Sequence, residues 1–367
     1  MIYRLLRPLL FRLDPERAHD LTLRLLGWGG RLQVTRRALR SQFEVTDPRL
    51  EIEAFGIQFK NPMGLAAGYD KNGAAVAGLS CLGFGHIEIG TVTLQPQAGN
   101  SRPRIHRVPE AGALINSMGF PNAGINALKL PLSRRVLPAG EGAGGWGLRL
   151  GINIGKGKDT PLERAAEDYC ALLRRVHGRA DYVALNISSP NTPGLRQLQN
   201  RAAIEGLLKA VTGVRDGLTP RTPMLLKIAP DLNEAEIDDA LAAVMNNGID
   251  GVIATNTTLS RDGLPEYAAA ITGGLSGAPL RARATEVVRY IAQRTQGKLP
   301  IVGVGGIACA ADALEKLRAG AWLVQVYTGL VYAGPGLLRQ INEGLLEACE
   351  REGVTTVSEL GRAELFT

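Results

Sequence analysis

The alternation of apolar runs and polar turns along the chain predicts a repeated strand-turn-helix unit. Runs such as DYVALNISS, DGVIATNTT and LPIVGVGG are apolar at nearly every position of their strand part, which is typical of parallel strands buried on both faces. Each run is followed by a turn rich in Gly, Asn, Ser, Thr or Lys. The eight predicted strands span residues 62–67, 86–92, 147–154, 181–188, 222–229, 249–256, 299–304 and 321–327.

Helical periodicity fills most of the intervals between these runs. Eight β-α units over about 300 residues predict an α/β fold, a (β/α)8 TIM barrel with a small N-terminal helical extension. A doubly wound open sheet is the alternative, but no G-x-G-x-x-G motif opens a first β-α turn. The predicted helices include residues 161–177, 201–217, 234–247, 281–295 and 310–319, and a linker and hairpin are expected around 41–60.

The N-terminal segment has a different pattern, that of two short amphipathic helices. Leucines recur at helical spacing over residues 5–10 among arginines, although Pro8 predicts a kink or break. The second helix has Asp14 as N-cap and Pro15 at its first position, and it ends at residues 29–30, both glycine. Two interpretations stay open: the helices lie in a membrane interface, or they pack on the main domain.

Charge is concentrated in this same segment. Of the net charge of +7, residues 1–42 carry nine Arg and three acidic residues, whereas the rest of the chain has 33 basic and 32 acidic residues. The main domain is therefore nearly neutral, and we expect no nucleic-acid partner. Four cysteines without C-x-x-C spacing favour a reducing compartment and predict no metal site. We find neither a secretory signal nor a spanning segment.

The residues that close the predicted strands are mostly small, amide, hydroxyl or lysine. No histidine and no pair of carboxylates recurs there, which excludes glycoside hydrolysis and His-ligated metal chemistry. Amides that donate and accept suit a flat heterocycle with carbonyl and N–H groups. Lys71 and Lys227 can meet a carboxylate or the negative charge that develops on a ring.

The last two β-α turns, GVGGI at 303–307 and QVYTG at 325–329, predict a phosphate site. Loops after the seventh and eighth strands of such barrels present free backbone N–H groups and a helix dipole to an anion. The alternative is that these glycines only permit tight turns. A phosphorylated cofactor or substrate is the expectation.

The loop NISSPNTPGLR at 186–196 holds the candidate base. Ser188 and Ser189 lie at its start without a nearby histidine in the sequence, unlike a hydrolase triad. A serine hydroxyl is a weak base unless the proton to be removed is itself acidic. A proton α to a carbonyl, removed as hydride leaves the neighbouring carbon, meets that condition. Otherwise, a serine here is a turn residue.

Taken together, these segments resemble the quinone-dependent, membrane-associated class of dihydroorotate dehydrogenases. The resemblance covers nearly the whole chain, and its motifs occur in the family's order. They are LFRLDPERAH, NPMGLAAGYDKNG, GFGHIEIGTVT, PRIHR, INSMGF, GINIGK, NISSPNTPGLR, KIAPD, GVIATNTT, TGGLSG, PIVGVGGI and LVQVYTGL.

The resemblance implies a set of site residues. Ser189 is implied as the base that removes the C5 proton of dihydroorotate while hydride passes from C6 to FMN, and Lys227 as the group that steadies negative charge on the reduced ring. The implied FMN contacts are Ala67, Gly68, Tyr69, Asp70, Lys71, Thr91, Asn153, Asn186, Lys227, Thr255, Gly277, Gly306, Tyr327 and Thr328. The implied substrate contacts are Lys71, Asn116, Ser117, Met118, Gly119, Phe120, Asn186, Asn191, Asn256 and Thr257, and those for quinone are His19, Arg107 and Tyr327.

The same resemblance implies partners and a location. The soluble classes place cysteine where this chain has Ser189, so a membrane quinone is the expected acceptor, and a soluble-type barrel using fumarate or NAD is the alternative. We expect a monomeric peripheral protein on an anionic membrane surface, at the cytoplasmic face of a bacterial inner membrane. The expected division is 1–42 for membrane and quinone access, 43–350 for the FMN barrel and 351–367 for the tail.

Two segments carry no functional assignment. The glycine-rich stretch 138–147 is interpreted as a mobile crossover before the third strand, and the tail after about residue 350 matches no motif. A rival of another class is a basic membrane- or nucleic-acid-binding protein whose barrel is only a scaffold. That rival predicts a colourless preparation.

Overall fold

The computed structural model describes residues 2–129 and 147–362, and its centre is a closed barrel of eight parallel strands. The strands of the described chain, in order, are β1 (Ile52–Ala54), β2 (Ile57–Phe59), β3 (Met63–Leu65), β4 (His86–Val92), β5 (Ile105–Val108), β6 (Ala113–Asn116), β7 (Arg149–Ile154), β8 (Tyr182–Asn186), β9 (Met224–Ile228), β10 (Gly251–Ala254), β11 (Gly274–Gly277), β12 (Ile301–Val304) and β13 (Leu323–Val326).

The barrel strands are β3, β4, β7, β8, β9, β10, β12 and β13, and they coincide with the eight predicted runs, trimmed by a few residues at their ends. The predicted (β/α)8 barrel is confirmed. Almost every residue of these strands is buried, because one face points into the barrel and the other meets the helices. Apolar character at successive positions is the result.

Helices alternate with the barrel strands and cover their outer faces. Those in the described residues are α1 (Ile2–Arg12), α2 (Pro15–Gly29), α3 (Gln33–Phe43), α4 (Val76–Leu79), α5 (Ala165–Val176), α6 (Arg201–Asp216), α7 (Glu234–Asn246), α8 (Glu266–Ala269), α9 (Arg281–Arg294), α10 (Ala310–Arg318), α11 (Thr328–Ala333), α12 (Leu337–Glu352) and α13 (Val357–Arg362). The five predicted barrel helices correspond to α5, α6, α7, α9 and α10.

The two ends of the barrel are closed differently. At the N-terminal end, the predicted hairpin forms as β1 and β2, and Phe55 and Phe59 pack against Tyr182 and His86 at the starts of two barrel strands. At the C-terminal end, β5, β6 and β11 form an antiparallel sheet. The sequence did not predict this sheet, because its strands are four residues long and lie inside long β-α connections.

The N-terminal segment contains three helices, one more than predicted. Of the predicted kink or break at Pro8, the break is wrong, since α1 continues through this residue. The cap prediction for α2 is confirmed: the Asp14 carboxylate accepts hydrogen bonds from the amides of Glu16 and Arg17. Helix α3, which was not predicted, has no buried side chain and no capping hydrogen bond from a side chain.

A charge cluster joins helix α2 to the segment that precedes β5. The Glu16 carboxylate is 2.7 Å from Arg104 and 3.0 Å from Arg102. Burial opposes the ionised form of Glu16, but the two guanidinium groups outweigh it and lower the pKa of this carboxyl. A close backbone approach of Leu26 to Gly78 adds a contact that only a glycine permits.

The outer face of α1 and α2 is apolar and exposed. Leu5 is 73% exposed, Leu9 57%, Leu25 58% and Trp28 65%. This apolar face, Leu5, Leu9, Leu25 and Trp28, is therefore not packed on the barrel. No helix in the described ranges is long and apolar enough to cross a membrane.

The two unassigned segments differ in what the structure describes. The stretch 138–147 lies outside the described residues except for Gly147. The described part of the tail contains the end of α12 and all of α13. Val357 and Leu360 of α13 are buried in the main core. Apolar burial thus extends beyond the predicted barrel boundary at residue 350.

Candidate active site

A polar cavity opens at the C-terminal ends of the barrel strands. It encloses about 1010 Å³ including its mouth. Its walls combine the residues that follow the barrel strands with the antiparallel sheet above them. The lining includes Ala67, Gly68, Lys71, Thr91, Asn116, Met118, Gly119, Phe120, Asn186, Ser189, Asn191, Lys227, Thr255, Asn256, Thr257, Gly277, Gly306, Tyr327 and Thr328.

Most of the residues expected to contact FMN or substrate therefore line one cavity, and four do not. Asn153 and Ser117 are not among the lining residues, while Tyr69 faces a second cavity. The carboxylate of Asp70 is buried and accepts hydrogen bonds from the amides of Ala74 and Ala75 at 2.8 and 2.7 Å. Asp70 thus shapes the loop that carries Lys71.

Side-chain amides and hydroxyls at the ends of four barrel strands form a continuous network along the cavity wall. The Thr91 hydroxyl donates to Asn153 Oδ1 at 2.6 Å, and the Asn186 amide donates to Asn153 Oδ1 at 3.1 Å. Asn256 Nδ2 donates to Asn186 Oδ1 at 3.3 Å and to Ser188 Oγ at 3.0 Å. Because each amide is held by its neighbours, their donor and acceptor atoms point in defined directions.

The loop that follows β8 places Ser189 at the cavity wall. Ser189 is 5% exposed, and its Oγ accepts a hydrogen bond from the backbone N–H of Asn191 at 3.3 Å. None of the four histidines of the chain lines the cavity. A serine in this position has no imidazole to activate it, so any basic role requires a substrate proton that is already acidic.

Arg196 shapes this loop and was missed by the sequence reasoning. Its guanidinium donates to Ser188 O at 3.0 Å, to Thr257 O at 2.9 Å and to Asp231 at 2.7 Å. It thereby ties the Ser189 loop to the residues after β10. An arginine close to two prolines gives no sequence signal for such a role, because its partners are backbone carbonyls from distant strands.

The two lysines of the cavity lie in different surroundings. No hydrogen bond or ion pair joins the Lys71 ammonium to another described side chain, and burial lowers its pKa to about 8. Lys227 is 5% exposed, and its Nζ lies 3.9 Å from Glu88 Oε1. Burial lowers the pKa of Lys227, and the Glu88 charge opposes that effect. Lys71 is free to meet an anion, whereas Lys227 is already paired.

Glycine and hydroxyl residues form a cradle at one end of the cavity. Gly306 has φ +76°, and a Cβ there would overlap Arg281. Gly277 has φ +101°, and a Cβ there would overlap the backbone of residues 112–113. Thr328 begins α11, with its Oγ1 2.8 Å from Ser276 Oγ. Exposed backbone amides and hydroxyls at this end suit a phosphate. The cradle, the amide network and the lysines together fit a phosphorylated planar cofactor.

A second, apolar cavity of about 1260 Å³ lies between the barrel and helices α1 and α2. Both cavities share Asn116, Met118, Ser276 and Tyr327 in their linings. The three residues expected at a quinone site, His19, Arg107 and Tyr327, line this cavity. Burial lowers the pKa of His19 to about 3, so its imidazole is neutral near pH 7.

Comparison with known proteins identifies the family. The family model described as dihydroorotate dehydrogenase matches residues 49–349. The chain belongs to the dihydroorotate dehydrogenase family. The resemblance inferred from the motifs is thereby confirmed. Membership is consistent with the polar cavity and its single candidate base.

Curated members of the family match nearly the full length of the chain. A protein of Roseiflexus sp. (strain RS-1) named dihydroorotate dehydrogenase (quinone) is 49% identical over 98% of this chain and 97% of its own length. One of the same name from Halobacterium salinarum (strain ATCC 29341 / DSM 671 / R1) is 46% identical over 99% of this chain and 100% of its own. These names favour the quinone class over a fumarate- or NAD-using class.

Solved dihydroorotate dehydrogenase structures have the same fold. The Eimeria tenella DHODH in complex with ferulenol superposes with a TM-score of 0.83 at 34% identity, covering 95% of this chain and 94% of its own. The ligand-free Eimeria tenella enzyme gives the same TM-score at 35% identity, covering 95% and 98%.

Proposed function

We propose that this protein is a dihydroorotate:quinone oxidoreductase that converts (S)-dihydroorotate to orotate in pyrimidine biosynthesis, with FMN as the hydride acceptor. The observation that carries the proposal is the pair of adjoining cavities. One is polar and contains a single candidate base, and the other is apolar and roofed by exposed amphipathic helices. Family membership and the names of the relatives support the same assignment.

The cavity residues divide the work of binding between them. The turns at Gly306 and Thr328 would hold the FMN phosphate, and Thr91, Asn186, Lys227 and Thr255 would contact the ring. The remaining proposed FMN contacts are Ala67, Gly68, Lys71, Gly277 and Tyr327 directly, with Tyr69, Asp70 and Asn153 in support. When bound, FMN accepts two electrons and a proton as hydride.

Substrate recognition is assigned to the amides and to Lys71. Asn191 Nδ2 donates to both Asn116 O and Asn116 Oδ1, at 3.0 and 3.1 Å, so these two amides are held together across the cavity. They and Asn256 present donors and acceptors that match the imide edges of a dihydropyrimidine. Lys71 would bind the ring carboxylate. Ser117, Met118, Gly119, Phe120, Asn186 and Thr257 complete the proposed substrate site.

Ser189 is the proposed base. Its Oγ would take the C5 proton, which is acidified by the neighbouring carbonyl, while hydride leaves C6. The burial of Ser189 excludes water from the proton transfer. The proton must then leave through the cavity, since no imidazole lies beside the hydroxyl.

We expect the deciding observation from anaerobic titration of the purified protein. Stoichiometric dihydroorotate should bleach the yellow flavin absorbance, and a ubiquinone analogue should restore it much faster than fumarate or NAD does. Rapid reoxidation by fumarate without quinone activity would instead indicate a soluble-type enzyme. A colourless protein would contradict the flavin assignment and favour the scaffold rival.

The Lys71 assignment predicts a specific pH dependence. Burial holds the pKa of Lys71 at about 8, so the ammonium is charged below that pH and neutral above it. Because kcat/KM reports the free enzyme, kcat/KM for dihydroorotate should fall as pH rises through about 8. Lys71→Met should raise KM at least about tenfold and remove this dependence. Unchanged substrate affinity in the variant would refute the carboxylate role.

The proposed location is a membrane surface, reached through the exposed face of α1 and α2. Leucines on this face can enter the lipid boundary, while arginines of the same segment meet anionic headgroups at about 1 kcal/mol each. Quinone would then reach Tyr327 through the apolar cavity. We propose a monomeric peripheral protein at the cytoplasmic face of a bacterial inner membrane, with residues 1–42 for access, 43–350 for catalysis and 351–367 as the tail.

A further inference from the structure

A buried carboxylate beside Lys227 is not among the proposed FMN or substrate contacts. Glu88, on β4, is 0% exposed and does not line the cavity. An isolated carboxylate in such a place is strongly disfavoured unless it is paired and hydrogen-bonded. Its surroundings therefore indicate what it is held there to do.

Three neutral donors and one ammonium surround the Glu88 carboxylate. Asn153 Nδ2 donates to Oε1 at 2.8 Å, while the Tyr182 hydroxyl and Gln325 Nε2 donate to Oε2 at 3.2 and 3.1 Å. The ammonium is Lys227 Nζ, 3.9 Å from Oε1. Donors from three other strands and the Lys227 ammonium thus surround the Glu88 carboxylate.

The remaining titratable groups in this part of the barrel interior are His86 and Tyr182. Burial lowers the pKa of His86 to about 3, so this imidazole is neutral. Burial and the Glu88 charge raise the pKa of Tyr182 far above its usual value, so the phenol remains a donor. Across the cavity, Lys71 is the other cation of the lining. Among the described residues, Glu88 is the charged group that stabilises the ammonium form of Lys227.

Glu88 also fixes the orientation of the amide network. Because Glu88 Oε1 accepts from Asn153 Nδ2, the Asn153 carbonyl oxygen must point the other way, where it accepts from Thr91 and Asn186. Asn186 and Thr91 line the cavity. One carboxylate therefore acts on both the charge and the hydrogen-bonding polarity of the cavity floor.

We infer that Glu88 is a positioning residue that keeps Lys227 protonated and directed at the flavin ring. The inference rests on the proposed function. Without the Glu88 carboxylate, burial alone acts on the Lys227 ammonium, and the lysine loses its proton at a lower pH. The positive charge that favours the reduced ring is then lost over the pH range in which the enzyme works.

The test is Glu88→Gln, which keeps an acceptor for Asn153 but removes the charge. We expect the yellow variant to show a new break in the plot of flavin midpoint potential against pH, with a lower potential than wild type on the alkaline side. On that side, reduction by dihydroorotate should slow at least about tenfold. Glu88→Asp, which keeps the charge, should restore much of the wild-type profile.

A matched pair of variants separates the charge from the packing. Neither Lys227→Met nor the double variant Lys227→Met with Glu88→Gln should show this break, because the group that titrates is gone. If Glu88→Gln instead raises the potential and leaves its pH dependence unchanged, Lys227 keeps its proton without Glu88, and the inference is wrong.

A measurement on the wild-type holoenzyme needs a variant only to assign one signal. In 15N-lysine NMR, the Nζ signal of Lys227, assigned by its loss in Lys227→Met, should remain that of an ammonium from about pH 6 to about pH 9. Loss of the proton within that range overturns the inference. A protein that binds no flavin, or is not reduced by dihydroorotate, would contradict the proposed function instead.

Discussion

Replacing Ser189 by alanine should slow the reduction of bound flavin by dihydroorotate at least about a hundredfold, within the range found for loss of a general base. Ser189 Oγ lies at the cavity wall, and no histidine lines that cavity to replace it. The variant should retain its yellow colour, since this serine is not among the proposed FMN contacts. Anaerobic stopped-flow measurement of the bleaching rate gives the result directly, without interference from quinone turnover.

Ser188→Ala is the matched control for this experiment. The Ser188 hydroxyl donates to Asn186 Oδ1 at 3.2 Å and accepts from Asn256, and it does not line the cavity. Its loss should slow flavin reduction less than about tenfold, as expected for removal of a supporting hydrogen bond. If both variants are impaired equally, Ser189 acts only through the shape of the loop and is not the base.

A cysteine at position 189 gives a further distinction. A free thiol has a pKa of about 8.5, so the fraction of cysteine present as the basic thiolate increases as pH rises through that region. Ser189→Cys should therefore recover part of the lost rate and make it more dependent on pH than the wild-type rate. No recovery at any pH would indicate that the serine hydroxyl contributes through a hydrogen bond instead of proton transfer.

The sequence was most informative where a single physical requirement governs each position. Barrel strands are buried on both faces, so their apolar runs were recognisable, and polar residues at their ends marked the cavity. Asp14 at the start of α2 was equally clear, because a cap acts within three residues. Such signals are local, and they were read correctly.

Features that depend on distant partners were not predictable in this way. Glu88 occupies an apolar run, and only the closed barrel brings Lys227, Tyr182 and Gln325 to its carboxylate. Arg196 acts on carbonyls that the fold brings together. The break expected at Pro8 did not occur. Helix α1 continues through this proline, and a hydrogen bond from the Tyr3 hydroxyl to Val331 O holds the helix against a distant part of the chain.

The exposed face of α1 and α2 yields the second large expected effect. Changing Leu5, Leu9, Leu25 and Trp28 together to serine should weaken binding to anionic liposomes at least about a hundredfold. Each of these side chains is more than half exposed, so their loss costs the fold little. If each contributes about 1 kcal/mol by entering the lipid boundary, four contribute about 4 kcal/mol, or nearly three decades in the binding constant. Co-sedimentation measures this directly.

The same variant separates membrane binding from catalysis. Flavin reduction by dihydroorotate should remain within about twofold of wild type, because none of the four side chains lines the polar cavity. Turnover with a long-chain quinone in vesicles should fall with liposome binding. Met245→Ser removes an apolar side chain that is 55% exposed on α7, on a barrel helix, and should change neither. Undiminished liposome binding by the fourfold variant would show that the arginines alone hold the protein at the surface, and raising the salt concentration should then release it.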